Sequence, residues 1–149
     1  MQSDNPKCYT WEWELRIPNL DIQVSNKFLK LYSDKSEIQI YYGAAGSAKS
    51  YEIAQYILTD LLATGRRWVV LRKVAKTLRF SCFSLFRTII SRLDCADLFT
   101  VMTGAMEIRC KSGGNILFLG MDDSDKIKSI DSIDCVWMEE ADQFTLAVS

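Results

Sequence analysis

The sequence contains no histidine, and none of its five cysteines forms a C-x-x-C pair. Because zinc in proteins is bound mainly by histidine and cysteine at such spacings, a structural zinc site has almost no support. Cys82 lies in an amphipathic segment and Cys135 in an apolar one. Both are therefore predicted to be small residues of the hydrophobic core.

Long apolar runs are also missing. No run approaches the ~18 residues that a membrane-spanning helix needs. The N-terminal residues include Asp4, Pro6 and Lys7 and lack the apolar region of a signal peptide. We see no internal repeat and no low-complexity tract. These absences predict a protein of the reducing cytoplasm that has no membrane segment.

The chain has little net charge. Its 149 residues are the size of one ordinary domain, and the formal net charge is −1. The charges are unevenly distributed, since residues 61–93 contain eight basic and no acidic residues, whereas residues 120–149 contain eight acidic ones. Such asymmetry is typical either of an anion-facing surface beside a metal-facing one or of two solvated faces of opposite sign.

The hydrophobic pattern alternates between strands and helices. Helical spacing is visible over residues 50–63, which Gly65 would end as a C-cap, and over residues 80–93, where Phe80 and Phe83 begin the apolar face. The order of elements predicts an α/β domain with a mostly parallel sheet flanked by helices. The predicted strands are Glu37–Tyr42, Arg67–Lys73, Met106–Cys110, Asn115–Gly120 and Cys135–Met138, the third and fourth joined by a KSGG turn.

The stretch GAAGSAKS lies between a predicted strand and a predicted helix, as the phosphate-binding pattern G-x-x-x-x-G-K-[ST] requires. In such a loop, successive backbone N–H groups and the helix N-terminus form an anion site. Lys49 would supply a charge for the β- and γ-phosphates of ATP, and Ser50 a hydroxyl for Mg²⁺. The bland alternative is a turn that merely starts a helix. The predicted ATP-binding residues are Gly43, Ala44, Ala45, Gly46, Ser47, Ala48, Lys49 and Ser50.

Ala48 stands where the pattern has its second glycine. If that position needs a positive φ, alanine costs roughly 1–2 kcal/mol. If it already belongs to the first helical turn, alanine costs nothing. Because Lys49 follows at once and must lie on the helix, the second arrangement is our prediction.

The stretch VWMEE places two carboxylates at the end of an apolar run. In ATPases with a phosphate-binding loop, a carboxylate at a strand end helps to hold Mg²⁺ and another residue orients the attacking water. Glu139 is predicted to be the metal-side ligand and Glu140 the residue that polarises water. The alternative is an acidic helix start after a core strand, which the helix dipole favours.

Four stretches together resemble one family: YYGAAGSAKS, VVLRKVAKTLRFSCFSLF, NILFLGMDDSDKIKSI and CVWMEEADQFT. The sequence is similar to the N-terminal ATPase region of the large terminase subunit of tailed bacteriophages, in the branch typified by prophage PBSX and phage SPP1. The resemblance implies a P-loop NTPase fold of the ASCE, RecA-like class. It also implies a motor that hydrolyses ATP with Mg²⁺ to move double-stranded DNA into a procapsid.

The resemblance further implies partners and residue roles. The expected partners are double-stranded DNA, the small terminase subunit, the portal protein and other copies of the chain, in the cytoplasm of a bacterial host. Lys49, Glu140 and Arg72 are the expected catalytic residues, and Ser50 and Glu139 the expected metal ligands. Arg72 heads a basic cluster that we expect to face phosphate, which comprises Arg66, Arg67, Arg72, Lys73, Lys76 and Arg79.

In the family that the sequence resembles, a coupling motif and a nuclease domain follow the acidic pair, whereas this sequence ends at Ser149. We therefore expect residues 1–36 to be a lead-in segment and residues 37–149 to be part of a P-loop ATPase domain, with weak or no activity and low solubility in isolation. Two other interpretations stay open: an inactive truncated prophage remnant, and another P-loop ATPase that acts on nucleic acid.

Overall fold

The computed structural model describes residues 7–10, 20–44 and 48–145. The helices are α1 (Leu29–Ser33), α2 (Lys49–Thr64), α3 (Ala75–Leu78), α4 (Ser84–Arg92) and α5 (Ser124–Lys128). A π-helical segment, Arg79–Phe83, joins α3 to α4, and short 3₁₀ turns occupy Asn26–Phe28, Ala96–Leu98 and Ala141–Gln143. The strands are β1 (Lys7–Thr10), β2 (Asp21–Val24), β3 (Arg67–Arg72), β4 (Phe99–Met102), β5 (Glu107–Cys110), β6 (Asn115–Gly120) and β7 (Cys135–Met138).

A five-stranded sheet of order β4-β5-β6-β3-β7 forms the centre of the described structure. β3 pairs in parallel with both β6 and β7, while β4, β5 and β6 pair antiparallel. The prediction of an α/β sheet with a β5–β6 hairpin is confirmed. The sheet is mixed rather than mostly parallel, because the β4–β5–β6 meander adds two antiparallel pairings.

One face of this sheet carries the main core. Val70 lies in register with Phe118 on one side and Trp137 on the other, so the three side chains share a face. The ring of Phe86 on α4 packs against both Phe118 and Trp137, with centroid distances of 5.3 and 6.3 Å. Trp68 lies on the same face of the sheet. The ring of Tyr56 on α2 packs perpendicular to the ring of Trp68, with a centroid distance of 6.2 Å. α2 and α4 therefore cover this face together.

The predicted helix after the candidate loop is confirmed as α2. Its apolar stripe buries Ala54, Ile57, Leu58 and Leu61, which recur at helical spacing. Gly65 ends the helix with φ 67°, and its N–H donates to the carbonyl of Leu61 at 3.0 Å. This left-handed C-cap is the conformation that glycine adopts without steric penalty.

Residues 20–33 pack against α2. Ile22, Val24 and Phe28 belong to the same buried cluster as the apolar stripe of α2. The Gln55 side-chain amide donates to the carbonyl of Gln23 at 3.0 Å. Residues 20–33 therefore stabilise the helix that begins at Lys49.

The predicted second amphipathic helix is present, but Phe80 is not on its apolar face. Phe83 and Phe86 are buried, whereas the side chain of Phe80 is 85% exposed. The reason is the π segment, because its i→i+5 hydrogen bonds widen one turn and shift Phe80 out of phase with the residues that follow.

The strand predicted over Glu37–Tyr42 is wrong, because this stretch pairs with no other segment of the described residues. Ile38, Ile40 and Tyr42 are 80–92% exposed. Tyr41 turns inward, and its ring lies 6.0 Å from that of Phe28. A strand requires a hydrogen-bonded neighbour, which the alternating sequence pattern by itself does not supply.

Among the residues that the structure describes, no helix is both long enough and apolar enough to cross a membrane.

Candidate functional site

The candidate site lies where three parallel strands end. β3, β6 and β7 run in the same direction, so Arg72, Gly120 and Met138 lie at one edge of the sheet. The first turn of α2 faces this edge, because Ser50 contacts the residue that follows Met138. Ligands of open α/β sheets bind outside the carboxyl ends of the strands, so this edge is the natural place for a binding site.

Both ends of the predicted phosphate loop are described. Gly43 and Ala44 are exposed, and Lys49 is the first residue of α2. The Lys49 Nζ donates to the carbonyl oxygen of Gly43 at 2.7 Å, which ties the start of the loop to its end. The remaining predicted loop residues, Ala45, Gly46 and Ser47, lie outside the described residues.

The backbone of Ala48 differs from the prediction. Ala48 has φ 63° and ψ 10°, which is the left-handed region, and it precedes α2 as the N-cap rather than lying in its first turn. Its carbonyl accepts the hydrogen bond from the Glu52 N–H at 3.0 Å and so begins the helix. The position therefore has the conformation that the glycine of the common pattern favours, and alanine carries a steric penalty there.

Ser50 and Glu139 are brought together from distant parts of the chain. The Ser50 Oγ donates to Glu139 Oε1 at 3.2 Å across a sequence separation of 89 residues. The β3–β7 pairing continues through Glu139, whose N–H donates to the carbonyl of Leu71 at 3.0 Å. The structure thus places the predicted metal-side carboxylate beside the predicted metal-side hydroxyl.

Both carboxylates of the acidic pair contact Arg72. The Arg72 guanidinium lies 2.8 Å from Glu140 Oε2 and 3.6 Å from Glu139 Oε2. Consecutive side chains of a strand point to opposite faces, so a regular continuation of β7 would separate the two. Glu140 instead has φ 53°, in the left-handed region. This turn ends the strand and brings both carboxylates to the same arginine.

The basic cluster predicted from the sequence does not form one surface. Arg66 forms an ion pair with Asp60, and Arg67 donates to the carbonyl of Asp131 at 2.6 Å. Arg67 begins β3 and Arg66 precedes it, whereas Arg72 ends the strand about 16 Å from Arg67, at ~3.3 Å per residue. Because β3 is extended, charges that are only a few residues apart in the sequence lie at opposite ends of the strand. Arg66 and Arg67 therefore lie apart from Arg72, and the expectation that the cluster faces the phosphates of nucleotide or DNA stays a prediction.

Cys82 is a site contact that the sequence did not indicate. It is fully buried, as predicted for a core cysteine. Its thiol, however, donates to Glu139 Oε2 at 2.6 Å across 57 residues. Burial raises the pKa of the thiol well above its ordinary range, and this hydrogen bond raises it further. The thiol therefore carries its proton at neutral pH.

The Ser50 and Glu139 oxygens have a spacing that fits Mg²⁺. Two oxygen ligands at about 2.0–2.1 Å from Mg²⁺ in adjacent octahedral positions lie about 3 Å apart, which is close to the Ser50–Glu139 separation of 3.2 Å. The described residues contain no group of three or more histidine, cysteine, aspartate or glutamate side chains that could bind a metal. The Ser50 hydroxyl and the Glu139 carboxylate suit Mg²⁺, which commonly takes one or two carboxylates and completes its shell with phosphate oxygens and water.

Comparisons with known proteins indicate one family. The family model described as "Phage terminase large subunit" matches residues 35–147. The chain is 35% identical over 105 residues to the "PBSX phage terminase large subunit" of Bacillus subtilis (strain 168), covering 70% of this chain and 24% of that relative. It is 33% identical over 107 residues to "Terminase, large subunit" of Bacillus phage SPP1, covering 68% of this chain and 25% of that relative. The chain thus spans about a quarter of the length of these curated relatives.

Proposed function

The chain belongs to the phage terminase large subunit family, and from this premise we propose that residues 37–149 are part of a P-loop ATPase domain whose ATP hydrolysis moves double-stranded DNA into a procapsid. The observation that carries the proposal is the Ser50–Glu139 contact at 3.2 Å. It joins the end of the loop to the end of β7, which is the pairing of hydroxyl and carboxylate that an ATPase of this type needs around Mg²⁺.

Binding is assigned to the loop. The backbone N–H groups of residues 43–50 and the start of α2 would surround the phosphates. Lys49, which contacts the Gly43 carbonyl, would exchange that contact for the β- and γ-phosphate oxygens of ATP. Ser50 and Glu139 would hold Mg²⁺, which when bound neutralises charge that develops on the transferred phosphate.

Chemistry is assigned to Glu140 and Arg72. Glu140 would accept a proton from the water that attacks the γ-phosphate, and its carboxylate is 40% exposed and therefore accessible to water. Arg72 positions that carboxylate through the 2.8 Å contact. A guanidinium at this edge of the sheet would also stabilise charge on the phosphate, and we keep Arg72 as a catalytic candidate for that reason.

The proposed assembly extends beyond this chain. The proposed partners are double-stranded DNA, the small terminase subunit, the portal protein and further copies of the large subunit in a motor that works in the host cytoplasm. An inactive prophage remnant is the competing proposal, and nucleotide binding and turnover separate the two. The interpretation as another P-loop ATPase that acts on nucleic acid is set aside because the family match covers residues 35–147.

The test of nucleotide binding is Lys49→Ala. Removing the ammonium group from the phosphates should weaken ATP binding by about tenfold or more, a loss of roughly 1.4 kcal/mol or more. Calorimetry of Mg²⁺–ATP binding would measure the change. Lys30→Ala, which removes an exposed lysine on α1, is the matched control and should bind as the wild type does. Equal affinities for Lys49→Ala and wild type would contradict the proposal.

A further inference from the structure

The two oxygens of the Glu139 carboxylate have different surroundings. Oε1 accepts from the Ser50 hydroxyl at 3.2 Å and lies on the side of the loop. Oε2 accepts from the Cys82 thiol at 2.6 Å and lies 3.6 Å from the Arg72 guanidinium. Both oxygens therefore accept from the protein, but only Oε1 lies beside the Ser50 hydroxyl, which is the other proposed cation ligand.

Cys82 is the closer of the two donors to Oε2. The nearest Arg72 nitrogen lies 3.6 Å from Oε2, beyond ordinary hydrogen-bond length, and the same guanidinium makes its short contact with Glu140. The Cys82 thiol reaches Oε2 at 2.6 Å and is fully buried. The thiol donates this hydrogen bond and the carboxylate oxygen accepts it. Among the residues that the structure describes, removal of the thiol would leave Oε2 with only the distant arginine.

The π segment is what brings this thiol to the site. Cys82 lies in Arg79–Phe83, the only π-helical stretch in the described part of the chain. The widened turn exposes Phe80 and directs Cys82 inward towards the end of β7. Single π turns inside α-helices recur at functional sites, because they re-aim one side chain without breaking the helix.

We propose that Cys82 is a positioning residue, whose hydrogen bond to Oε2 orients the Glu139 carboxylate so that Oε1 and the Ser50 hydroxyl together face the cation. This inference rests on the proposed function and deepens it. Groups that hydrogen-bond to metal ligands typically contribute 10–100-fold to metal affinity. The thiol thus acts on Mg²⁺ through Glu139 and touches neither the cation nor the nucleotide.

The first experiment separates cation-dependent from cation-independent binding. The affinity of a fluorescent, non-hydrolysable ATP analogue is measured at low protein concentration, once with Mg²⁺ and once with a chelator. Cys82→Ala should lower the affinity with Mg²⁺ by about tenfold and leave the affinity with chelator unchanged. Cys82→Ser should restore the Mg²⁺ effect, because its hydroxyl also donates a hydrogen bond.

Cys95→Ala is the matched control. Cys95 is another buried thiol, and it donates to the Ile90 carbonyl at 3.6 Å rather than to the acidic pair. Cys95→Ala should keep the wild-type ratio of the affinity with Mg²⁺ to the affinity with chelator. An unchanged ratio in Cys82→Ala, or an equal fall in Cys95→Ala, would overturn the positioning role. A wild-type chain in which Mg²⁺ has no effect would instead contradict the proposed function.

A second measurement tests the contact without any nucleotide. The S–H stretching band in the infrared spectrum moves to lower frequency when a thiol donates a strong hydrogen bond. Comparison of wild type with Cys82→Ser assigns the Cys82 band. We expect that band below the Cys95 band, and we expect Glu139→Gln to raise its frequency because a neutral amide is a weaker acceptor. A Cys82 band that Glu139→Gln leaves in place would contradict the inference.

Discussion

Arg72 holds the two acidic side chains in one arrangement. Its guanidinium contacts Oε2 of both Glu139 and Glu140, although the neighbouring backbone would direct consecutive side chains apart. The left-handed backbone at Glu140 turns its side chain back towards the arginine that also contacts Glu139. Non-glycine residues in this region are uncommon and concentrate at functional sites, so the turn itself supports a role for Glu140.

Glu140→Gln should leave ATP binding intact and lower hydrolysis by about 10²–10⁴-fold, because an amide cannot accept the proton of the attacking water. The measurement is phosphate release in the assembled motor, alongside nucleotide affinity. Glu139→Gln is the informative comparison, since it should change the Mg²⁺ concentration required. Hydrolysis at the wild-type rate in Glu140→Gln would show that this glutamate is not the base.

Ala48 carries the steric penalty of a positive φ. We expect Ala48→Gly to stabilise the protein by about 0.5–1 kcal/mol, the relief of the left-handed penalty less the greater flexibility of glycine in the unfolded chain. Ala63→Gly, in the last turns of α2, is the opposite control and should destabilise by about 1 kcal/mol. Denaturant melts give both values, and a loss of stability in Ala48→Gly would contradict the backbone assignment.

The elements around the site are joined by close backbone contacts. β6 ends at Gly120, and the Asp122 carboxylate that follows accepts from the N–H of Ala75 at 2.9 Å. This bond satisfies an N–H group at the start of α3, which has no partner within the helix. The turn after β6 is thereby fixed to the helical run that carries Cys82.

Gly120→Ala should break this junction. A Cβ at position 120 would lie 2.3 Å from the Ala75 nitrogen and 2.3 Å from Asp122 Oδ1. We expect a destabilisation of about 1–3 kcal/mol, as for other overpacked sites, measured by denaturant unfolding. Gly104→Ala, where no atom lies within 4 Å of the added Cβ, should be nearly neutral. Equal stability of the two variants would contradict the close approach.

At the scale of the whole molecule, the described sheet has an apolar edge. β7 pairs only with β3 in the described part of the chain, and Val136 and Met138 are about half exposed. Ile38 and Ile40 are exposed in the unpaired stretch before the loop. Open strand edges with apolar side chains promote association between chains.

We therefore expect the chain by itself to self-associate as its concentration rises. Val136→Lys should reduce this association, because a charge on an edge strand opposes pairing. Thr100→Lys adds the same charge on the opposite edge strand, β4, and should have little effect. Sedimentation velocity over a range of concentrations would decide. A wild-type chain that stays monomeric throughout would contradict the expectation.

Local pattern predicted much of the fold. The apolar spacing of α2 and its glycine C-cap, the β5–β6 hairpin, and the apolar runs of β3 and β7 were all readable from the sequence. Each depends on interactions between residues close in the chain, or on burial that the residue types themselves require. Phe80 and Glu37–Tyr42 were predicted wrongly, because a π turn changes the helical phase and a strand depends on its neighbour.

The sequence by itself determined which groups are available: a loop with Lys49 and Ser50, a strand end with Glu139 and Glu140, and the family to which they belong. Only the tertiary structure decided how these groups meet. The Ser50–Glu139 and Cys82–Glu139 contacts span 89 and 57 residues, and they depend on strand order, on register and on one π turn. Local periodicity carries no information about the distance between elements, so such contacts appear only when the sheet and helices are packed together.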